Sequence, residues 1–221
     1  MSPSSSLPLS THDIFPPTLG VILAGGHASR LGYRDKALVE VGGAPLLARV
    51  STRLLPQVAR MILSANGHPS RFAFSDLPII SDTIPDFPGP LAGILAGLDW
   101  AAAHLPHLDW IASVPVDCPF LPRDLVARLH AARVQERTSL ACAVSGARRH
   151  HLAALWPVAL REDLRRALTQ DDVRRVADWT ARHGVASAVW PDEPFDPFFN
   201  INTPKDVTEA DRLAQRADTG P

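Results

Sequence analysis

The stretch GVILAGGHASRLGYRDKALVEVGGAPLL, residues 20–47, decides how the rest of the chain is read. It begins, together with Leu19, as a short apolar run of the kind found in strands buried on both faces. The run breaks at Gly25-Gly26, passes through small polar residues and Arg30, and reaches Asp35-Lys36 before the apolar pattern resumes. Helical spacing follows in PLLARVSTRLLPQV (45–58), with Pro45 at the expected first helical position. A strand, a glycine-rich basic loop and a helix in that order suit the opening unit of a parallel sheet.

The rhythm continues outward. RMILSA (60–65) and LPII (77–80) read as strands, and GPLAGILAGLDWAAAH (89–104) as a helix entered through Pro90. DWIASVPVD (109–117) is a strand, PRDLVARLHAARVQ (122–135) a helix and TSLACAVS (138–145) another strand. Beyond about residue 147, HLAALWPVAL reads as a strand running into a helix, REDLRRALTQ and DDVRRVADWTARHG as helices, and VASAVWP as a strand. The closing helix, TPKDVTEADRLAQR (203–216), has Thr203 as its cap and Pro204 at its first position. This alternation predicts an α/β fold with three layers, Rossmann-like, around a mostly parallel sheet. One domain is expected over residues 18–216, between a Ser- and Pro-rich mobile leader (1–17) and a frayed tail (217–221).

A chain of 221 residues buries a core without needing disulfides or a structural metal. Its net charge of −1 argues against broad electrostatic binding to nucleic acid or to an anionic membrane, while leaving room for a local basic pocket. Cys118 and Cys142 form no CxxC pair and read as reduced thiols of a cytoplasmic protein. The first residues have neither a basic segment nor an apolar segment of a signal peptide. No apolar run approaches the about 20 residues of a membrane span.

In an open parallel sheet, ligands sit outside the carboxyl ends of the strands. The loop from Gly25 to Lys36 lies at that edge. Glycines let backbone N–H groups approach an anion, and Arg30 and Lys36 add charge-assisted contacts to phosphate. Neither standard nucleotide loop is present: Tyr33 follows Gly32, which rules out GxxxxGK[ST], and GxGxxG is absent. Asp117 ends a strand, so its carboxylate either holds Mg2+ against phosphate or caps the turn marked by Pro119 and Pro122. Asn66 and Asp82 follow the second and third strands, as ligand contacts or as loop formers. Gly93, Gly97 and their small neighbours signal a close approach, either by a ligand or by the sheet. Asn200 and Asn202 take alternate positions of the extended segment FFNINTP, which by itself reads as a capping turn before the last helix. His150 and His151 are adjacent and lack metal-ligand spacing.

LAGGHASRLGYRDKALVEVGGAPLL (23–47) resembles the signature loop of molybdenum cofactor nucleotidyltransferases, most closely the guanylyltransferases. The matching residues are Leu23, Ala24, Gly25, Gly26, Ser29, Arg30, Leu31, Gly32, Asp35, Lys36, Gly43, Pro45 and Leu46, with Leu31 in place of the usual Met. ISDTIPDFPGPLAGILAGL (80–98), SVPVDCPFLP (113–122), HHLAALWPVAL (150–160) and DPFFNINTPKDV (196–207) resemble later landmarks of the family, in order.

The resemblance implies transfer of GMP from GTP to molybdenum-bound molybdopterin, with release of pyrophosphate. It implies catalytic roles for Arg30, Lys36 and Asp117, with Mg2+ on Asp117. Nucleotide contacts would come from Leu23, Ala24, Gly25, Gly26, Lys36, Asn66, Asp82 and Asp117. An Asp acceptor at position 82 suits the N1–H and N2 amino donors of guanine. Asn200 and Asn202 would face the phosphates or the second substrate, and Arg148-Arg149 would form a basic turn or meet the pterin phosphate. Molybdoenzyme apoproteins or their chaperones would receive the product. The competing readings are a cytidylyltransferase for the same pterin, a sugar-phosphate nucleotidyltransferase, and a nucleotide-binding regulatory module without catalysis. Cytidylyl relatives typically carry Leu-Ala-Ala-Gly where Gly25 stands, and the joint presence of Lys36, Asp82 and Asp117 speaks against the regulatory module.

Overall fold

A computed structural model describes residues 15–25, 35–84 and 89–219. Gly26 and Arg30, and the leader up to residue 14, lie outside the described residues. The chain forms β1 (Thr18–Leu23), a short hairpin of β2 (Glu40–Val41) and β3 (Ala44–Pro45), α1 (Leu46–Leu54), β4 (Arg60–Ser64) and β5 (Ile79–Ile80). It continues with α2 (Pro90–His104), β6 (Trp110–Pro115), α3 (Leu125–Glu136), β7 (Leu140–Ser145) and β8 (Arg148–Pro157). The last elements are α4 (Arg161–Thr169), α5 (Val176–Thr180), β9 (Val185–Trp190) and α6 (Pro204–Thr219).

Seven strands form one sheet in the order β5-β4-β1-β6-β8-β7-β9. β1 pairs in parallel with β4 and β6, β4 with β5, and β7 with β9. Only β8 runs against its neighbours β6 and β7. The reversal has a local cause. Gly146-Ala147 is all that links β7 to β8, with Gly146 at φ +52, and two residues permit a hairpin but no crossover.

Helices cover both faces. Along β1, Leu19, Val21 and Leu23 pack towards α2, while Ile22 packs towards α1 and α3. One face is filled by Leu47, Val50 and Leu54 of α1 and Leu125 and Leu129 of α3. The opposite face is filled by Leu91, Ile94, Leu95 and Leu98 of α2, with Leu164 and Leu168 of α4. The glycines of α2 serve this packing: a Cβ on Gly97 would sit 2.9 Å from Val21 Cγ2, and one on Gly93 2.7 Å from Ser64 Oγ. Close approach by the sheet therefore accounts for both.

A third, smaller apolar cluster joins the β2–β3 hairpin to α6 through Val39, Val41, Leu46, Phe120, Ile201 and Leu213. It lies behind the strand ends discussed below. Three sequence expectations shift in detail. Pro45 precedes α1 as its cap residue rather than occupying the first turn. The segment 171–184 yields only the five-residue α5. α6 reaches Thr219, three residues into the expected tail. Among the described residues no helix is long and apolar enough to cross a membrane.

Candidate active site

The carboxyl ends of β1, β4, β5 and β6 lie side by side. Backbone pairing runs one residue past three of them: Ala24 N donates to Ser64 O (2.8 Å), Ala65 N to Ile80 O (2.9 Å) and Val116 N to Leu23 O (3.1 Å). Gly25, Asn66 and Asp117 step out of the ladder next, and Asp82 lies two residues past β5. Leu23 and Ala24 have buried side chains and meet the edge with their backbone. Gly25 is exposed, and a Cβ built on it meets no atom of the described residues within 4 Å.

Lys36 enters from the loop after β1 through a one-turn 3-10 helix, Lys36–Leu38, capped by Asp35, whose Oδ1 accepts from Ala37 N at 3.0 Å. The lysine is only 9% exposed. Its ammonium donates to Asp117 Oδ2 at 2.6 Å and to Asn202 Oδ1 at 2.7 Å. Burying an ammonium requires such partners, because desolvation otherwise disfavours the charge. Asn202 is held in turn by the start of α6. Asp206 Oδ2 accepts from the amides of Asn202 and Thr203, each at 2.8 Å, and Thr203 Oγ1 accepts from Asp206 N at 3.3 Å, a reciprocal capping box.

Asn200 reaches the same group through the Cys118 thiol, which donates to its Oδ1 at 2.9 Å, and Ile201 N donates to Asp117 O at 3.1 Å. Burial, reinforced by the carboxylates of Asp117 and Asp196, pushes the Cys118 thiol well above its ordinary range. It acts here as a donor rather than a nucleophile.

Asn66 and Asp82 form a separate clasp. Asn66 Nδ2 donates to Asp82 Oδ2 at 2.6 Å, and Asp82 N donates to Asn66 Oδ1 at 3.0 Å. Burial pushes the Asp82 carboxyl above its ordinary value, and the Asn66 hydrogen bond offsets part of that rise.

Arg71, which carries no signal in the sequence, links the two halves. It donates to the Asn66 carbonyl, and its guanidinium lies 2.8 Å from Asp35 Oδ2, a contact of charge rather than an aligned hydrogen bond. Arg148 and Arg149 are exposed on the β7–β8 hairpin, where Arg149 donates to Ser187 Oγ at 2.9 Å.

A family model described as the MobA-like NTP transferase domain matches residues 20–186. The molybdenum cofactor guanylyltransferase of Rhodopseudomonas palustris (strain BisB5) is 55% identical over 210 residues, covering 95% of this chain and 99% of that protein. That of Nitrobacter hamburgensis is 55% identical over 199 residues, covering 90% of this chain and 95% of its own. The chain belongs to the molybdenum cofactor guanylyltransferase family. The crystal structure of molybdopterin-guanine dinucleotide biosynthesis protein A from Archaeoglobus fulgidus shares its fold, with a TM-score of 0.70 at 22% identity over 90% of this chain and 100% of that one. The α/β/α architecture is thus a nucleotidyltransferase fold, and this family member is a nucleotidyltransferase.

Nucleotidyltransferases generally use a divalent cation, and the donor set here fits one. Among the described residues no three His, Cys, Asp or Glu side chains cluster to form a closed metal cage. The edge instead offers one carboxylate, Asp117, beside the amide oxygens of Asn200 and Asn202. Hard oxygen donors in that small number suit a cation that completes its shell with water and phosphate.

Two outcomes follow. Asp117→Ala leaves a nearly buried ammonium with one partner fewer, and should lower stability by about 1–3 kcal/mol in urea unfolding. The double variant Lys36→Met/Asp117→Leu, which removes both charges, should lose less than Asp117→Ala alone. Equal or greater loss would mean that the ammonium left without Asp117 is not what destabilises Asp117→Ala. Asp82 supplies a pH test. An acid whose pKa is raised in the folded state contributes stability below its unfolded pKa and loses it as pH rises through the folded value. The stability of Asp82→Asn relative to the wild type should therefore improve between pH 4 and pH 7, as measured by paired urea titrations.

Proposed function

We propose that the protein transfers GMP from GTP to the terminal phosphate of molybdenum-bound molybdopterin, within one nucleotidyltransferase domain over residues 18–216. The observation that carries this reading is the convergence of Lys36, Asp117 and Asn202, at 2.6 and 2.7 Å, on the strand edge that also holds Gly25. A phosphate oxygen of molybdopterin attacks the α-phosphorus, the bond from that phosphorus to the β-phosphate bridging oxygen breaks, and pyrophosphate leaves with the electron pair. A phosphate monoester has a second pKa near about 6, so the attacking group is already largely anionic at neutral pH and needs no general base. This agrees with a site whose charged groups position and neutralise rather than shuttle protons.

Lys36 stabilises charge on the departing pyrophosphate, as does Arg30 of the preceding loop. Asp117, with Asn202 and Asn200, would hold Mg2+, which when bound supplies positive charge to the phosphate oxygens. Asp82, fixed by Asn66, accepts from guanine N1–H and the N2 amino group. Gly25 leaves open space against which the purine lies. Asn200 and Asn202 face the incoming molybdopterin phosphate. Buried, unpaired Cys118 and Cys142 suit a reducing cytoplasm, where molybdoenzyme apoproteins or their chaperones receive the dinucleotide.

The test is turnover of molybdenum-bound molybdopterin with Mg2+ and either GTP or CTP, following pyrophosphate and the dinucleotide product. GTP should be used in clear preference. Preference for CTP would make the protein a cytidylyltransferase, and nucleotide binding without pyrophosphate release would make it a regulatory module. Gly25→Ala refines the assignment. A methyl there meets no atom of the described residues, so the melting temperature of the free protein should stay unchanged. Against a bound purine it would cost about 1–3 kcal/mol in a tight pocket. kcat/KM for GTP should fall at least tenfold and the preference over CTP should narrow. Equal losses with both nucleotides would reduce Gly25 to a turn residue.

A further inference from the structure

Two strands along from β6, at the same edge, the segment Asp196–Asn202 begins from a polar cluster set into the core. Asp196 Oδ1 accepts from Ser145 Oγ at 2.7 Å and from Phe198 N at 2.8 Å. Ser145 Oγ also lies 2.7 Å from His150 Nε2. Ser145 and His150 are buried, and the His150 ring stacks on Phe198 with centroids 4.6 Å apart.

Proton counting orders this cluster. A carboxylate only accepts, so the serine hydroxyl donates to Asp196, and His150 Nε2 must then donate to the serine oxygen. Burial, ahead of the opposing pull of Asp196, keeps the His150 pKa below its ordinary value, so the ring is neutral at pH 7 with its single proton on Nε2. The three residue types are those of a hydrolytic triad, but the order is wrong for one. Serine stands between histidine and aspartate, and histidine donates where a general base would accept. The arrangement is not that of a triad nucleophile, and its geometry suits placement.

The segment that leaves this cluster is fixed again at its other end. Asn200 accepts from Cys118, Ile201 N donates to Asp117 O, and Asn202 accepts from Lys36. We propose that Ser145 and His150 are positioning residues for the acceptor side of the site: they anchor Asp196 and Phe198 so that Asn200 and Asn202 face Lys36 and Asp117. The inference rests on the reading of those asparagines as contacts to molybdopterin phosphate.

The full-length protein tests it through Ser145→Ala, His150→Leu and His150→Gln, the last keeping an N–H donor near the position of Nε2. Hydrogen exchange at the Phe198 and Ile201 amides should quicken at least tenfold in Ser145→Ala and His150→Leu, with Val21 of β1 unchanged within twofold. The affinity for guanosine, which engages the Asn66–Asp82 half of the edge and not the asparagines at 200 and 202, should stay within threefold, while KM for molybdenum-bound molybdopterin should rise tenfold or more. His150→Gln should recover most of both losses. Unchanged exchange at Phe198 and Ile201, equal quickening at Val21, or guanosine affinity falling as far as acceptor affinity would each overturn the proposal. If His150→Leu does not fold, Ser145→Ala and His150→Gln decide by the same readings. Exchange is measured without turnover, so a wild-type protein that makes no dinucleotide overturns the guanylyl-transfer reading while the anchoring of the segment is still decided.

Discussion

The ammonium of Lys36 is the point on which the rest of the edge depends. It joins residues 81 and 166 positions away in the chain, one just past β6 and one preceding α6. None of these three segments is held at the edge by the sheet alone. An ammonium with this little exposure is stable only where oxygen acceptors are fixed around it, so its burial and the placement of Asp117 and Asn202 are one constraint. The apolar cluster of Val39, Val41, Phe120, Ile201 and Leu213 brings the segments close, and the charged contact sets which atoms face one another. Hydrophobic burial has no direction of its own, whereas a hydrogen-bonded ion pair does.

The edge divides its labour along the sheet. β4 and β5 end in the Asn66–Asp82 clasp, whose acceptors and donors suit a base. β6 and the segment before α6 supply the charged group, which suits phosphate. Gly25 follows β1, which lies between β4 and β6 and therefore between the two halves. Rigidity comes from the backbone pairing carried one residue beyond β1, β4 and β6, and from Arg71, which touches both halves. The same rigid scaffold places both, so their separation is fixed without a ligand, and a ligand that spanned both would lose less of its binding free energy to ordering.

Much of this was legible in the chain. The apolar runs of β1 and β6, the helix α2 opened by Pro90 and the Thr203-Pro204 start of α6 stand out because each is set by local pattern. The polar residues at strand ends could be listed because sheets of this class bind ligands there. What the sequence concealed was pairing over distance. Nothing local marks Arg71, which sits in a 3-10 segment without periodicity, or shows that Ser145, His150 and Asp196 meet. The β2–β3 hairpin has two residues per strand, too short for alternation to register. The glycines of α2 signalled close approach correctly, but only the packed structure shows that the approaching group is Val21 or Ser64. Asp117, legible as a strand-end carboxylate, also proves to be the partner of a nearly buried charge.

The valences left at the centre follow from counting donors and acceptors. A lysine ammonium has three protons, and Asp117 and Asn202 engage two of them, which leaves capacity for one further acceptor. Asp117 gives Oδ2 to Lys36, while among the described residues its Oδ1 has only the Cys118 thiol, at 3.8 Å. The pair is thus satisfied enough to be stable alone and incomplete on both sides. The lysine can take an anionic oxygen and the carboxylate a cation without either releasing the other. A phosphate chain carrying a divalent ion presents those two charges together. Such a ligand completes the cluster instead of dismantling it, so binding need not work against the contact that holds the edge in place.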